Sequence, residues 1–179
     1  MKSRMIEYLQ TSDDKYRDAL IRLYIRCFSS GMSAQYIDEV QLSVYIEFIL
    51  NKGYGVFAIE KELLVAALLC FPLKYDKDVP IEIADNYNVE NCIYIAELMV
   101  TEQHRGFGIG KKLMEEFENK LDKNVTDLFI RVWDKNIPAL ALYEKQGFTS
   151  VASILQHKLE RGGASELLMK KMYLHKKPV

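Results

Sequence analysis

The sequence has few of the residues that mark disulfide-bonded or membrane-spanning proteins. Its 179 residues include three cysteines, nine glycines, four prolines and one tryptophan. The cysteines are odd in number, far apart and in apolar surroundings, which indicates reduced thiols rather than disulfides or a zinc site. No stretch approaches the run of about 18 apolar residues that a membrane-spanning helix needs, and the N-terminus shows no signal-peptide pattern. We therefore expect a cytoplasmic protein with no membrane partner.

An excess of charge of either sign is also missing. Lysine and arginine number 24 against 25 aspartate and glutamate residues, a net charge of −1, which argues against a nucleic-acid partner. The three histidines are scattered without ligand spacing, so we predict no metal site. Hydrophobic residues form 49% of the chain, enough for a substantial core. Since no linker or repeat divides the sequence, we expect a single domain over residues 1–179.

Hydrophobic periodicity divides the chain into strands and helices. Residues 33–53 predict a long helix that opens at Ser33 and ends at Gly53. Its predicted buried face consists of Ile37, Val40, Val44 and Phe48. Residues 63–73 are nearly all apolar, which is typical of a central strand. The other predicted strands are residues 4–10, 54–60, 92–100, 127–132, 148–154 and 167–174, and the last two are joined by a turn with Gly162 and Gly163. The other predicted helices are one that starts at the polar cluster 11–14, one over residues 110–121 and one with Pro138 in its first turn.

The most informative stretch is an apolar strand at residues 93–100, followed by a polar turn and a glycine-rich turn that opens a helix. This layout directs free backbone N–H groups and the positive end of a helix dipole at one point, which favours a phosphate or pyrophosphate. A P-loop is excluded because Arg105 and Lys112 occupy its first glycine and its Ser/Thr position. A dinucleotide fingerprint is excluded because Lys111 stands at its third glycine. We expect His104, beside this turn, to face water.

Two motifs carry a resemblance to a known family. The first has the form Arg-x-x-Gly-x-Gly and begins at Arg105. The second, about thirty residues later, has the form Asn-x-x-Ala-x-x-x-Tyr-Glu-x-x-Gly-Phe and begins at Asn136. Together they resemble the coenzyme-A pyrophosphate loop and the second signature motif of the GCN5-related N-acetyltransferase superfamily, directly over residues 92–150. The resemblance implies an α/β fold with a central mixed sheet, helices on both faces and the order β-α-α-β-β-β-α-β-α-β-β.

The resemblance also implies acetyl-CoA as the acetyl donor. In the superfamily the backbone of the glycine turn holds the pyrophosphate, and the preceding strand pairs with the pantetheine arm in the manner of an added strand. An amide of Leu98 or Val100 would then stabilise the oxyanion. The residues that we expect to bind acetyl-CoA are Leu98, Met99, Val100, Arg105, Gly106, Phe107, Gly108, Ile109, Gly110, Lys111 and Asn136.

Two further residues are expected to carry the chemistry of acetyl transfer. Tyr143 falls on the tyrosine of the second motif, where the superfamily commonly uses the phenol to protonate the coenzyme-A thiolate. Glu97 is the carboxylate within the apolar strand, and partial burial would bring it towards the titration range that a general base needs. The alternative for Glu97 is a strand residue or substrate anchor without a proton role. Since neither motif contains a cysteine, we expect direct transfer without an acetyl-enzyme.

The acceptor is less well defined. Residues 74–91 lack periodicity and carry five acidic residues against two lysines, so they form either a solvated surface loop or an acidic lid that attracts a cationic amine. We predict a small cationic amine as the partner, while a polyamine, an aminoglycoside, an amino acid, a protein N-terminus and a protein lysine all fit the motifs. A non-catalytic acyl-CoA-binding regulator and a nucleotide-phosphate-binding module are the alternatives to an enzyme. A homodimer agrees with the resemblance, because dimers are common in the superfamily.

Overall fold

A computed structural model describes residues 5–31, 34–159 and 166–179. The strands are β1 (Glu7–Thr11), β2 (Tyr54–Glu60), β3 (Leu63–Pro72), β4 (Cys92–Val100), β5 (Asp127–Trp133), β6 (Thr149–Leu159) and β7 (Glu166–Lys176). The helices are α1 (Arg17–Phe28), α2 (Glu39–Lys52), α3 (Ile81–Ala84), α4 (Ile109–Glu118) and α5 (Ile137–Lys145). The seven strands form one sheet in the order β1-β2-β3-β4-β5-β7-β6. The β4–β5 pair is parallel and the other pairs are antiparallel, so the sheet is mixed, as predicted.

The sheet separates two layers of hydrophobic core. Successive residues of a strand point to opposite faces, and in β3 Leu69 packs in the cluster that includes α1 and α2, whereas Leu68 packs in the cluster that includes α4. Both leucines have no solvent exposure. This explains why β3 is apolar along almost its whole length and confirms its predicted central position. Helices therefore cover both faces of the sheet.

The prediction for α2 was wrong in its start and in its buried face. Asp38 caps the helix, since its Oδ1 accepts hydrogen bonds from the amides of Val40 and Gln41 at 2.9 and 3.0 Å, and the helix begins at Glu39. Val40 and Val44 are 71% and 58% exposed. The residues that α2 buries are Leu42, Ile46, Ile49 and Leu50. The helix carries apolar residues on several of its sides, so the sequence alone does not show which side is buried. Packing against the sheet decides which of these sides faces the core. Ser33, the predicted start, lies outside the described residues.

Residues 74–91 contain more regular structure than their sequence predicts. The segment includes the short helix α3 between two 3₁₀ turns, Leu73–Tyr75 and Val89–Asn91. Ile83 of α3 is 1% exposed and anchors the segment to the core. The final hairpin is longer than predicted, with the predicted turn at Gly162 and Gly163 outside the described residues. In the described part of the chain, no helix has the length and apolar character needed to cross a membrane.

Candidate active site

A cleft opens in the middle of the sheet, where β4 and β5 separate. Their parallel pairing ends at Ile95 and Ile130, although β4 continues to Val100 and β5 to Trp133. From residue 96 onwards, the edge of β4 that faces β5 is therefore not paired with it. Residues 96–100 and 130–133 line a cleft of about 1220 Å³ at this point. An extended ligand can bind along β4 in the place that a neighbouring strand would otherwise occupy.

The glycine-rich turn forms one end of this cleft. Gly106 and Gly108 have positive φ angles of 78° and 77°, and Gly108 is the N-cap of α4. The first N–H groups of α4 have no acceptor within the helix, and together with the helix dipole they create an anion site. A Cβ atom at either glycine would meet no protein atom within 4 Å. The turn therefore leaves open space directly against its backbone.

The residues before the turn are held by specific hydrogen bonds. His104 is 9% exposed, with Nδ1 2.7 Å from the Thr101 hydroxyl and Nε2 3.2 Å from the Glu60 carboxylate. The prediction that His104 faces water was wrong, because these partners bind both ring nitrogens and allow burial. The Arg105 Nε donates to the carbonyl oxygen of Val100 at 3.0 Å, which ties the turn to the end of β4.

Glu97 lies half-buried in the cleft, on the side of the sheet that α1 and α2 cover. The Tyr45 hydroxyl of α2 donates to Glu97 Oε1 at 3.1 Å. Tyr24 of α1 also lines the cleft, and burial first and then the charge of Glu97 raise the pKa of its phenol. The Tyr24 hydroxyl accepts a hydrogen bond from Gln35 Nε2 at 2.9 Å. The partial burial predicted for Glu97 is thus present, and tyrosines from two helices surround it.

Tyr143 reaches the cleft from the opposite face of the sheet. Asn136 Oδ1 accepts from the amide of Ala139 at 3.3 Å and caps α5, as predicted, so the helix begins at Ile137. Tyr143 is 6% exposed. Burial raises the pKa of its phenol, and the charge of Glu97 raises that pKa further, so the phenol keeps its proton at neutral pH. Both predicted catalytic residues therefore line the same cleft, and they interact electrostatically there.

The structure describes all of residues 74–91, and none of them lines this cleft. Arg131 Nη1 lies 3.5 Å from Asp76 and 2.9 Å from Asp78. Lys74 forms a further ion pair with Glu90 at 2.6 Å. Three of the five acidic residues of this segment are thus paired with cations, and Arg131 is the cation that the sequence count of this segment did not include. Asp78 also accepts a hydrogen bond from Gln156 Nε2 at 3.3 Å, and Gln156 and Arg131 both line the cleft, so the segment lies behind the cleft lining. The acidic lid stays a prediction.

A comparison with protein families agrees with this geometry. Residues 17–148, from the start of α1 to the end of the second motif, match the model of the acetyltransferase (GNAT) family. The chain belongs to this family. The predicted family and the predicted mixed-sheet fold are therefore confirmed.

Individual GNAT relatives show how far the likeness extends. N-alpha-acetyltransferase 30 of Saccharomyces cerevisiae is 34% identical over 83 residues, which are 46% of this chain and 47% of that protein. The chain thus matches about half the length of this curated relative. Arabidopsis thaliana NAA60, solved with a bisubstrate analogue, superposes with a TM-score of 0.71 at 20% identity, over 97% of this chain and 98% of that one. Salmonella typhimurium yncA, solved with its cofactor acetyl-CoA, has a TM-score of 0.69 at 12% identity, over 99% and 95%. The two structural likenesses establish the fold.

In this GNAT fold, every residue predicted to bind acetyl-CoA lines the cleft except Phe107, which is 60% exposed. The residues that line the cleft without having been predicted include Tyr24, Tyr45 and Arg131. Arg131 had a usable signal, because it is a lone charge inside an apolar strand. The tyrosines had none, since the chain contains eleven and no motif distinguishes these two.

Proposed function

We propose that the protein is an acetyl-CoA-dependent N-acetyltransferase that acetylates the α-amino group of a polypeptide N-terminus. The observation that carries this proposal is the cleft in which the unpaired edge of β4 leads from Glu97 to the glycine-rich turn. The cleft therefore contains an extended backbone edge, an anion site and two side chains suited to proton transfer, Glu97 and Tyr143. Membership of the GNAT family supports the same reaction.

The residues of the cleft fit acetyl-CoA in shape and in chemistry. The N–H groups of residues 106–111 would hold the pyrophosphate, and the open space at Gly106 and Gly108 accommodates it. The backbone of residues 98–100 would bind the pantetheine arm as an added strand. When bound, the thioester supplies an activated acetyl group. Lys111, at the start of α4, adds positive charge beside the turn.

Glu97 and Tyr143 would handle the protons of the transfer. Glu97 takes a proton from the acceptor amine, directly or through water, which frees the nitrogen lone pair to form the bond to the acetyl carbon as the carbon–sulfur bond breaks. Tyr143 donates its phenolic hydrogen towards the departing thiolate. Proton uptake by Glu97 removes the charge that contributes to the raised pKa of Tyr143, so the phenol donates more readily once the amine has lost its proton.

A polypeptide N-terminus agrees better with these observations than the small cationic amine that the sequence predicts. That prediction depended on the acidic residues of segment 74–91, and two of them, Asp76 and Asp78, are paired with Arg131. The relative with 34% identity is named an N-alpha-acetyltransferase. Leu167 and Met169 of β7 add apolar side chains to the lining, which suits the side chains of a peptide.

A panel of acceptors tests this proposal. The protein is incubated with acetyl-CoA and one of four acceptors: a peptide with a free N-terminus, the same peptide with a blocked α-amine, spermidine or kanamycin. Release of free coenzyme A is followed with a thiol-reactive dye, and the acetylated atom is located by mass spectrometry. We expect release with the free peptide and acetylation of its α-amine, with the Glu97→Gln variant strongly impaired. Preferred acetylation of spermidine or kanamycin would contradict the proposed acceptor, and binding without release would indicate a regulator.

A further inference from the structure

Tyr45 connects α2 to the carboxylate in the cleft, although 52 residues separate it from Glu97 in the chain. Its hydroxyl donates to Glu97 Oε1 at 3.1 Å, and both residues line the cleft. Neither of the two sequence motifs contains Tyr45, and the proposed binding of acetyl-CoA and the proposed proton transfer to sulfur do not involve it. The contact therefore needs an explanation of its own.

The position of the Tyr45 hydroxyl is set by a well-packed helix. The next residue, Ile46, and Ile49 one turn later have no solvent exposure and fix α2 against the sheet. Asp38 closes the N-terminus of the helix through two backbone amides. A phenol has two side-chain torsions, so a fixed helix leaves its hydroxyl little freedom. Tyr45 is thus a rigid donor directed at a fixed point in the cleft.

Five groups from the surrounding elements that interact electrostatically with Glu97 are neutral at neutral pH. They are Tyr24 and Cys27 of α1, Tyr45 of α2, Tyr94 of β4 and Tyr143 of α5. Burial is the leading cause of the raised pKa of each of these phenols and of the thiol. The cations beside these groups include Arg105, which interacts with Cys27, and Arg131, which lies over the Tyr94 ring. A neutral phenol stabilises an ionised carboxylate by donating a hydrogen bond to it, and Tyr45 donates such a bond to Glu97.

We propose that Tyr45 is a positioning residue for Glu97, whose donated hydrogen bond to Oε1 helps to keep the carboxylate ionised and fixed in orientation within the cleft. The inference depends on the proposed acetyl transfer, in which Glu97 is the proton acceptor. Loss of the donor makes ionisation of Glu97 less favourable. As the pH is lowered, the variant would therefore lose activity earlier than the wild type, because its Glu97 carboxyl would be protonated at a higher pH.

The test compares Tyr45→Phe, Glu97→Gln and the double variant with the wild-type protein. Phenylalanine keeps the ring and removes only the hydroxyl. Tyr16→Phe is the matched control, because Tyr16 packs edge-on against Phe57 at 5.1 Å between ring centroids and lies outside the cleft lining. The pH profile of kcat/KM for the peptide acceptor is measured for each protein, with acetyl-CoA saturating.

In Tyr45→Phe we expect the acidic limb of kcat/KM to move up by about one pH unit, with roughly a tenfold loss below the limb and less than about a twofold loss on the plateau. In the Glu97→Gln background the same substitution should have less than about a twofold effect, because the carboxylate is already absent. Tyr16→Phe should leave the profile unchanged.

A loss of equal size at every pH and in both Glu97 backgrounds would overturn the inference, since Tyr45 would then act on something other than this carboxylate. An unchanged profile would overturn it as well. Absence of acetyl transfer by the wild-type protein is a different result, because it would contradict the proposed function itself.

Discussion

Replacement of Gly108 by alanine separates the ligand-binding role of the glycine turn from its role in the backbone. Gly108 has a φ of 77° and Gly147, just after α5, has a φ of 88°. An added Cβ meets no protein atom within 4 Å at either position. Alanine should therefore lower the free energy of unfolding by a similar amount at both, about 1 kcal/mol, because both require the left-handed conformation. Gly147→Ala is thus a control matched in backbone strain.

The two variants should differ in their affinity for acetyl-CoA. The Cβ at position 108 would project into the open space beside the first turn of α4, where the pyrophosphate is proposed to bind. Displacement of one charge-assisted hydrogen bond costs about 1.5–3 kcal/mol, or roughly a 10- to 100-fold rise in Kd. Isothermal titration calorimetry measures Kd, and urea unfolding checks that the two variants lose similar stability. Equal, wild-type Kd values in both variants would refute the assignment of this turn.

Two further predictions concern the chemistry and the stability of the cleft. Tyr143→Phe should lower turnover by about 10²–10⁴-fold with little change in KM for acetyl-CoA, since the phenol acts on the departing sulfur, and wild-type turnover under conditions where chemistry limits the rate would remove Tyr143 from the mechanism. Arg131→Met should lower the free energy of unfolding by about 3 kcal/mol, because it leaves Asp76 without its cation. The Asp76 side chain is only 5% exposed, so Arg131→Met combined with Asp76→Asn should recover much of that loss in urea unfolding, and failure to recover would contradict the pairing argument.

The parts of the fold that could be predicted are those that short sequence patterns determine. β3 is apolar on both faces, and α5 has its capping Asn136 and the left-handed Gly147 around it. Each of these signals depends on a few neighbouring residues, so a single sequence contains the whole of it. The same holds for the glycine turn, in which the positive φ angles of Gly106 and Gly108 follow from residues within one short segment.

The parts that were not predictable depend on contacts between distant segments. Val40 and Val44 have the spacing of a buried stripe, yet α2 buries a different one because β3 and α1 select it. The pairing of Asp76 could not be predicted from the sequence, since its partner Arg131 is on β5, and α3, β4 and α4 lie between them in the chain. The Tyr45–Glu97 hydrogen bond likewise joins residues that are far apart in the chain, so no short sequence pattern predicts it.

The structure of the complex with acetyl-CoA tests the central claim most directly. We expect the pyrophosphate against the backbone amides of residues 106–111, the pantetheine arm along residues 98–100, and the thioester between Glu97 and Tyr143. A crystal structure with acetyl-CoA in this arrangement would support the binding site, the orientation of the ligand and the two catalytic roles together. A pyrophosphate bound away from the glycine turn, or a thioester remote from both Glu97 and Tyr143, would contradict the account.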